Sequence, residues 1–166
     1  MKQNYRNILR YAMERELQGV DFFRQQAEKV SLASAKHMLL ELADIEQDHY
    51  DYLKDQLAHF EKYQVFKEVD FEIDREANLF SDRAEKEKLD QQLVESMIPD
   101  MSVLRTAYLM ERDFAEFYHD AAAKTDDPNA KKLFQTLALW EQGHEKLFKE
   151  EHQRMMDTYM HQPWGG

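Results

Sequence analysis

The sequence contains no cysteine and very little glycine or proline. Its 166 residues include no Cys, 4 Gly and 3 Pro. Without cysteine, the chain can form no disulfide, and it cannot use a thiol in catalysis or bind zinc or an iron–sulfur cluster through thiolates. Because glycine and proline are scarce, long stretches run without a residue that breaks a helix, and this favours an all-α protein.

Excess positive charge and long apolar runs are also lacking. The formal net charge is −11, which argues against partners such as nucleic acid or an anionic membrane. No apolar run approaches the roughly 20 residues that cross a bilayer, and residues 1–6 lead into a charged amphipathic segment without an apolar signal core. We therefore expect a soluble cytoplasmic protein with one sizeable core.

A motif of the form Leu-Ala-x-x-Glu-Gln-x-His occurs twice, at residues 42–49 and again 95 residues later at 137–144. Residues three apart on a helix share a face, so each copy directs one carboxylate and one imidazole to the same side. The same offset relates two further glutamates, and the repeated set is Glu16, Glu46, His49, Glu111, Glu141 and His144. Such a set is typical of di-iron and di-manganese carboxylate bundles.

Four segments with helical periodicity carry this set. Apolar residues recur at steps of three and four, and each segment includes one of the four glutamates in its apolar face; the segments are 4–30, 35–62, 102–124 and 129–159. Short polar breaks join the first to the second and the third to the fourth, which makes two antiparallel hairpins. Asp127 is suited to cap the last helix, with Pro128 at its first position.

These segments predict an antiparallel four-helix bundle in a single domain. The domain covers residues 1–160, with hairpins at 4–62 and 102–159, and residues 161–166 form a C-terminal tail that cannot continue a helix. The offset of 95 residues also relates apolar positions outside the motif, so the two hairpins are expected to be related by a pseudo-twofold axis.

Residues 63–101 interrupt the periodic pattern. We interpret them as one long crossover between the second and third helices, because a helix of about 28 residues spans roughly 42 Å that the chain must travel. We expect the third helix to start at the end of the bundle where the first one starts, in a ferritin-like topology. Ser81 and Asp82 are suited to cap a short helix that ends at Pro99. Such a crossover could also add a dimer surface; the alternative is that the stretch is a separate element.

Four glutamates in apolar helix faces need positive charge nearby. Each buried glutamate that is protonated at pH 7 costs about 3.7 kcal/mol relative to a reference pKa near 4.3, so four cost roughly 15 kcal/mol. That sum is comparable to the stability of a whole domain. Two divalent cations would offset it, and oxygen ligands with imidazole suit iron and manganese. The alternatives are glutamates at the helix edges, or a water-filled polar cavity.

In such a site each ion has three carboxylates and one imidazole. Glu16 and Glu111 would be terminal ligands, Glu46 and Glu141 would bridge the ions, and His49 and His144 would each bind one ion. Positions then remain open for oxygen or peroxide, and two metals can bind both oxygens of an O–O bond and supply two electrons.

Tyr118 lies seven residues after Glu111, on the same helical face. It is either a core aromatic residue whose hydroxyl bonds a carboxylate, or a catalytic residue that tunes a ligand or quenches oxidising equivalents. Phe23 occupies the equivalent position in the first hairpin, so any such role is one-sided. Glu116 and His119 also match Glu-x-x-His, but they have no counterpart in the first hairpin, and we interpret both as surface residues.

The pattern of Glu16 and Phe23, Glu46 and His49, Glu111 and Tyr118, and Glu141 and His144 resembles the rubrerythrin di-iron domain of the ferritin-like superfamily. The resemblance implies a homodimer with two iron ions, or manganese or zinc in their place, whose ferrous pair is oxidised by peroxide or oxygen. Rubrerythrins also carry a rubredoxin-like site with four cysteines. This chain has none, so its electrons must come from a separate donor protein.

A second departure concerns Phe114. Rubrerythrins have an additional glutamate at this position, three residues after the ligand of the third segment, and that glutamate is linked to a ligand switch. The symmetric set of six ligands is closer to bacterioferritin-type ferroxidase centres and to stand-alone members of the group. A rubrerythrin-style switch is therefore not expected here.

Three functions are compatible with these observations. The favoured one is an oxidoreductase, a peroxidase or oxidase that acts in oxidative stress with an external reductant. The second is a ferritin-like protein that oxidises and sequesters ferrous iron. The third is a helical dimer that binds zinc or manganese without redox chemistry.

Overall fold

The computed structural model describes residues 5–30, 33–69 and 91–161. These residues form four helices, α1 (Tyr5–Ala27), α2 (Ala33–Tyr63), α3 (Gln91–Ala123) and α4 (Pro128–Met160). Helix α1 packs along α2, and α3 packs along α4. The predicted all-α bundle of two hairpins is therefore confirmed. Across the described ranges, no helix has both the length and the apolar character that crossing a membrane requires.

Contacts of Tyr5 show which helix ends meet. The backbone N–H of Asp127, in the turn between α3 and α4, donates to the Tyr5 hydroxyl oxygen at 3.3 Å. The Tyr5 ring also packs edge-on against Phe60, near the end of α2, with 5.6 Å between ring centroids. The start of α1, the end of α2 and the end of α3 therefore lie at the same end of the bundle.

Helix α3 consequently starts at the end opposite to the start of α1. The expectation that both start at the same end is wrong: a third helix placed that way would begin beside the end of α2 and would need no crossover. In the observed arrangement α2 ends at one end of the bundle and α3 begins at the other, so the connection must join opposite ends. One such crossover gives the ferritin-like topology.

Helix α3 also begins earlier than its apolar periodicity indicates. It runs from Gln91, before the predicted start at residue 102, and continues through Pro99. The expectation that a short helix ends at Pro99 is therefore wrong. Proline removes one helical hydrogen bond and favours a kink, but the backbone on both sides of it remains helical. The predicted cap at Ser81 and Asp82, and the tail beyond residue 161, lie outside the described residues.

Two apolar clusters fill the bundle, one toward each end. The cluster at the Tyr5 end includes Leu9, Ala12, Leu53, Tyr118, Phe134 and Leu137. The cluster at the opposite end includes Phe23, Ala27, Leu42, Leu104, Phe148 and Met155. In each helix the motif glutamate lies between residues of the two clusters. Because burying a side chain such as Leu or Phe contributes about 1.5–3 kcal/mol, these clusters fix the helices around a polar centre.

The ends of two helices are defined by local contacts. The Asp127 side chain accepts hydrogen bonds from the backbone of Asn129 and Ala130, each at 2.9 Å, which confirms the predicted cap of α4. After α2, Gln64 adopts a positive φ of 58°, and its N–H donates to the Phe60 carbonyl at 2.8 Å.

The first residues after α2 then pack on the Tyr5 end of the bundle. Phe66 and Val69 are buried in the cluster there. The backbone N–H of Lys67 donates to the side chain of Gln56 at 3.1 Å, and Lys132 donates to the Val69 carbonyl at 3.3 Å.

Candidate metal centre

The structure brings the six repeated residues together at the middle of the bundle. The four glutamates are 0% exposed, His49 is 3% exposed and His144 is 1% exposed. They form two groups, and the candidate ligand atoms in each group lie within 4.8 Å of one another. The first group is Glu16, Glu46, His49 and Glu141, and the second is Glu46, Glu111, Glu141 and His144.

Glu46 and Glu141 belong to both groups, and each divides its two oxygens between them. Glu46 Oε2 lies 3.5 Å from His49 Nδ1, and Glu46 Oε1 lies 3.7 Å from His144 Nδ1. Glu141 Oε1 lies 3.5 Å from His49 Nδ1, and Glu141 Oε2 lies 3.2 Å from His144 Nδ1. The two imidazole rings are nearly parallel, with centroids 5.9 Å apart. This arrangement suits carboxylates that bridge two ions.

Each remaining glutamate lies beside one imidazole. Glu16 Oε2 is 3.3 Å from His49 Nδ1, and Glu111 Oε2 is 3.7 Å from His144 Nδ1. Each group therefore offers three carboxylates and one imidazole nitrogen. Neither hairpin provides a complete group, because each group includes a glutamate from the other hairpin.

The hydrogen bonding of the buried carboxylate oxygens indicates whether metal ions fit this site. Glu16 Oε2 and both oxygens of Glu46, Glu111 and Glu141 are buried and accept no hydrogen bond within the part of the chain that the structure describes. Buried polar atoms in native proteins almost always have a partner, and several such acceptors in one place need a cation. Oxygen-rich sites with imidazole suit iron and manganese, so the residues present fit a dinuclear metal site.

The pKa values of the carboxyl groups lead to the same conclusion. Burial raises the pKa of Glu111 to about 8. Burial, followed by the charges of Glu141 and Glu111, raises the pKa of Glu46 well above its ordinary value. Burial would also raise the pKa of Glu141, but the imidazoles of His144 and His49 outweigh it, so this pKa is lowered. With a pKa of about 8, the Glu111 carboxyl group is mostly protonated at neutral pH unless positive charge is added.

Comparison with known proteins identifies the family. The model of the rubrerythrin family matches residues 7–152. This chain belongs to the rubrerythrin family. Neither the curated proteins nor the solved structures include a match to it. Membership implies a di-iron carboxylate protein, and the buried cluster of glutamates and histidines in this rubrerythrin-family chain agrees with that.

Tyr118 is in direct contact with the cluster. Its hydroxyl is buried and donates a hydrogen bond to Glu16 Oε1. Burial, followed by the negative charge of Glu16, raises the pKa of Tyr118 well above its ordinary value, so the hydroxyl keeps its proton. The equivalent Phe23 instead stacks on Phe148, with ring centroids 5.6 Å apart. The contact is therefore one-sided, as the sequence predicts.

Sequence reasoning missed two residues beside the centre. Trp140 stacks on His49, with ring centroids 4.7 Å apart and an angle of 20° between the rings, and Ile45 occupies its equivalent position. Gly19 lies against the Glu46 carboxylate. The available signals were a tryptophan directly before a motif glutamate, and a glycine inside an apolar helical face.

The second Glu-x-x-His match lies outside the centre. Glu116 and His119 are exposed, and His119 forms a 2.8 Å hydrogen bond with the side chain of Gln142. The interpretation of both as surface residues is therefore confirmed. The other histidines also lie outside the two groups; His152, for example, packs edge-on against Tyr108, with 5.8 Å between ring centroids.

Proposed function

We propose that this rubrerythrin-family protein binds two iron ions and reduces hydrogen peroxide with electrons from a separate donor protein. One observation carries the proposal: two buried groups, each with three carboxylates and one imidazole, share Glu46 and Glu141. Family membership supports iron as the metal. Reducing one peroxide to two waters consumes two electrons and two protons, and a pair of ferrous ions would supply both electrons.

The residues that would hold the two ions follow from the groups. Glu16 and His49 would bind one ion, and Glu111 and His144 the other. Glu46 and Glu141 would each give one oxygen to each ion. Four protein donors for each ion leave room for a small oxidant.

The surrounding residues keep this set in place. The apolar clusters on both sides exclude water from the centre, and electrostatic interactions are stronger in such surroundings than in water. The Tyr118 hydroxyl holds Oε1 of Glu16, which leaves Oε2 facing the His49 ring. The carboxylate is thereby oriented with one oxygen toward the metal group and the other toward the core.

The electrons must come from outside the chain. The sequence contains no cysteine, and a rubredoxin-like or iron–sulfur site needs cysteine thiolates. We therefore propose a separate redox protein as the donor, which would return the oxidised iron pair to the ferrous state. We also propose a homodimer in the cytoplasm.

The test has two steps. Metal content is first measured by mass spectrometry on protein purified without added metal, and two iron ions per chain are expected. The ferrous protein is then mixed with peroxide in a stopped-flow instrument, and two ferrous ions should be oxidised for each peroxide, faster than free Fe(II). An equal or slower rate would refute peroxidase activity.

The Glu46→Ala/Glu141→Ala double variant should lose binding of the metal pair, and if it retains two equivalents, our ligand assignment is wrong.

Phe114 favours a second candidate function. This residue occupies the position of the additional rubrerythrin glutamate, so the ligand set remains symmetric, as in ferroxidase centres that handle iron. Faster oxidation by oxygen than by peroxide would favour this function, as would a large cage in size-exclusion chromatography. The proposed peroxidase should instead elute as a pair of 19.9 kDa chains.

A further inference from the structure

Gly19 is buried in the middle of α1 and faces one of the two shared carboxylates. A Cβ atom on Gly19 would lie 3.1 Å from Cγ of Glu46, 3.3 Å from its Cδ and 3.5 Å from its Oε2. The two shorter distances are below the separation of about 3.5–4.0 Å at which carbon atoms attract each other best. The Glu46 side chain therefore lies against the α1 backbone, in space that any other residue would fill.

The second helical glycine in the described ranges provides a comparison. Glycine is among the least favourable residues for a helix interior, so both Gly19 and Gly143 weaken their helices. A Cβ atom on Gly143 would meet no atom within 4 Å. Only at Gly19 does the missing side chain make room for a neighbour, and that neighbour is Glu46.

The internal repeat has a glycine at only one of the two equivalent positions. The offset of 95 residues relates Gly19 to Phe114 and Glu46 to Glu141. Phe114 is buried at 2% exposure, and the guanidinium of Arg15 lies over its ring at 4.6 Å. The position equivalent to Gly19 thus holds a large buried side chain, and the close approach to a glycine occurs at Glu46.

The position of Glu46 affects both metal groups at once. Its Oε2 faces His49 Nδ1 at 3.5 Å, and its Oε1 faces His144 Nδ1 at 3.7 Å. Ligand distances at a well-formed metal site lie within about 0.2 Å of their standard values. A Cβ atom at residue 19 would push Glu46 by a few tenths of an ångström, which is enough to misplace one donor in each group.

We propose that Gly19 is a positioning residue for Glu46: its missing side chain provides the space from which this carboxylate reaches both metal groups. Even alanine at this position weakens binding of the metal pair. The inference rests on the proposed function in one respect, that Glu46 is a ligand shared by two ions.

The first experiment compares Gly19→Ala with the matched control Gly143→Ala. The full-length proteins are titrated with Co(II), and visible absorption gives the number and affinity of bound ions. The wild type and Gly143→Ala should each bind two equivalents with similar affinities, whereas Gly19→Ala should bind at least one of them five-fold more weakly or worse. A smaller difference, with two equivalents bound by all three proteins, would overturn the inference.

The second experiment needs no metal and remains informative if Gly19→Ala folds poorly. Melting temperatures of the metal-free proteins are measured with Glu46 present and in a Glu46→Ala background. Gly19→Ala should lower the melting temperature when Glu46 is present. In the Glu46→Ala background, Gly19→Ala should raise the melting temperature, because alanine favours the helix once the contacting side chain is gone. Gly143→Ala should raise it in both backgrounds.

If Gly19→Ala changes the melting temperature in the same direction in both backgrounds, the inference is overturned. A Gly19→Ala/Glu46→Ala protein that does not fold would also overturn it. The two proposals can therefore fail separately. If the wild type and Gly143→Ala do not bind two Co(II) ions, the proposed function fails, and the melting temperatures still decide whether Gly19 makes room for Glu46.

Discussion

Two aromatic side chains make the halves of the candidate metal centre different, although the ligand set repeats. Tyr118 donates to a glutamate of the first group, and Trp140 stacks on His49 of the same group. The equivalent positions hold Phe23 and Ile45. Both residues therefore act on the first group, and we expect its metal position to differ from the other in affinity and in spectroscopic properties.

Replacing Tyr118 with phenylalanine should destabilise the metal-free protein by about 1–3 kcal/mol, because Glu16 Oε1 would remain buried without its donor. Urea denaturation followed by circular dichroism measures the change. The control is Tyr63→Phe, since Tyr63 is 54% exposed and surface changes usually stay within about 0.5 kcal/mol. Equal stability of Tyr118→Phe and the wild type would show that the hydrogen bond does not stabilise the fold.

Trp140 should report metal binding at the position beside His49. Its ring lies 4.7 Å from the His49 ring, so Co(II) bound to His49 should quench its fluorescence. The sequence has 2 tryptophans, and in Trp140→Phe the remaining one is Trp164. The quenching should disappear in this variant while Co(II) binding persists. Binding of two Co(II) ions by the wild type without quenching of Trp140 would contradict the assignment of His49 as a ligand.

The helix ends combine favourable and strained features. Asp127 caps α4 with two hydrogen bonds, which typically contributes about 0.5–2 kcal/mol. At the end of α2, Gln64 adopts the left-handed conformation, with φ at 58°, which is unfavourable for residues that carry a Cβ atom. A glycine commonly occupies such a position after a helix. Gln64, directly after α2, is therefore a position where a substitution can increase the stability of the protein.

Gln64→Gly should stabilise the protein by roughly 1 kcal/mol, because glycine adopts this conformation without steric cost. Thermal denaturation measures the increase. Gln135 is exposed in the interior of α4, and Gln135→Gly should destabilise the protein by about 1 kcal/mol. The two glutamine substitutions are thus expected to change stability in opposite directions. A loss of stability in both variants would show that the Gln64 backbone is not strained.

Stability of the bundle as a whole should depend on metal. The centre buries four glutamates at 0% exposure, and ligands that bind only the folded state stabilise it by about 2.7 kcal/mol at 100 times their dissociation constant. Removing metal with a chelator should therefore lower the melting temperature of the wild type. The Glu46→Ala/Glu141→Ala variant should melt at the same temperature with and without chelator. An equal response of both proteins would argue against metal binding at this site.

The sequence predicts the centre better than it predicts the course of the chain. Helix geometry converts a spacing of three residues directly into a shared face, so Glu46 and His49 could be paired from sequence alone. An apolar helical face looks the same whichever end the helix starts from, so the apolar pattern does not determine the direction of α3. The stacking of Trp140 on His49 depends on which helices face each other, and local spacing carries no such information.

Because each metal group is divided between the two hairpins, a peptide with a single hairpin cannot form a complete group by itself. A peptide with α1 and α2 alone would carry Glu16, Glu46 and His49 but would lack the glutamate that α4 contributes to that group. Two copies of such a peptide, related by a twofold axis, would supply each other with the missing oxygen donor. One kind of helical hairpin is therefore enough to form both metal groups, provided that it dimerises. Joining two hairpins in one chain allows their sequences to differ, so an aromatic residue such as Tyr118 can occur in one hairpin and not in the other.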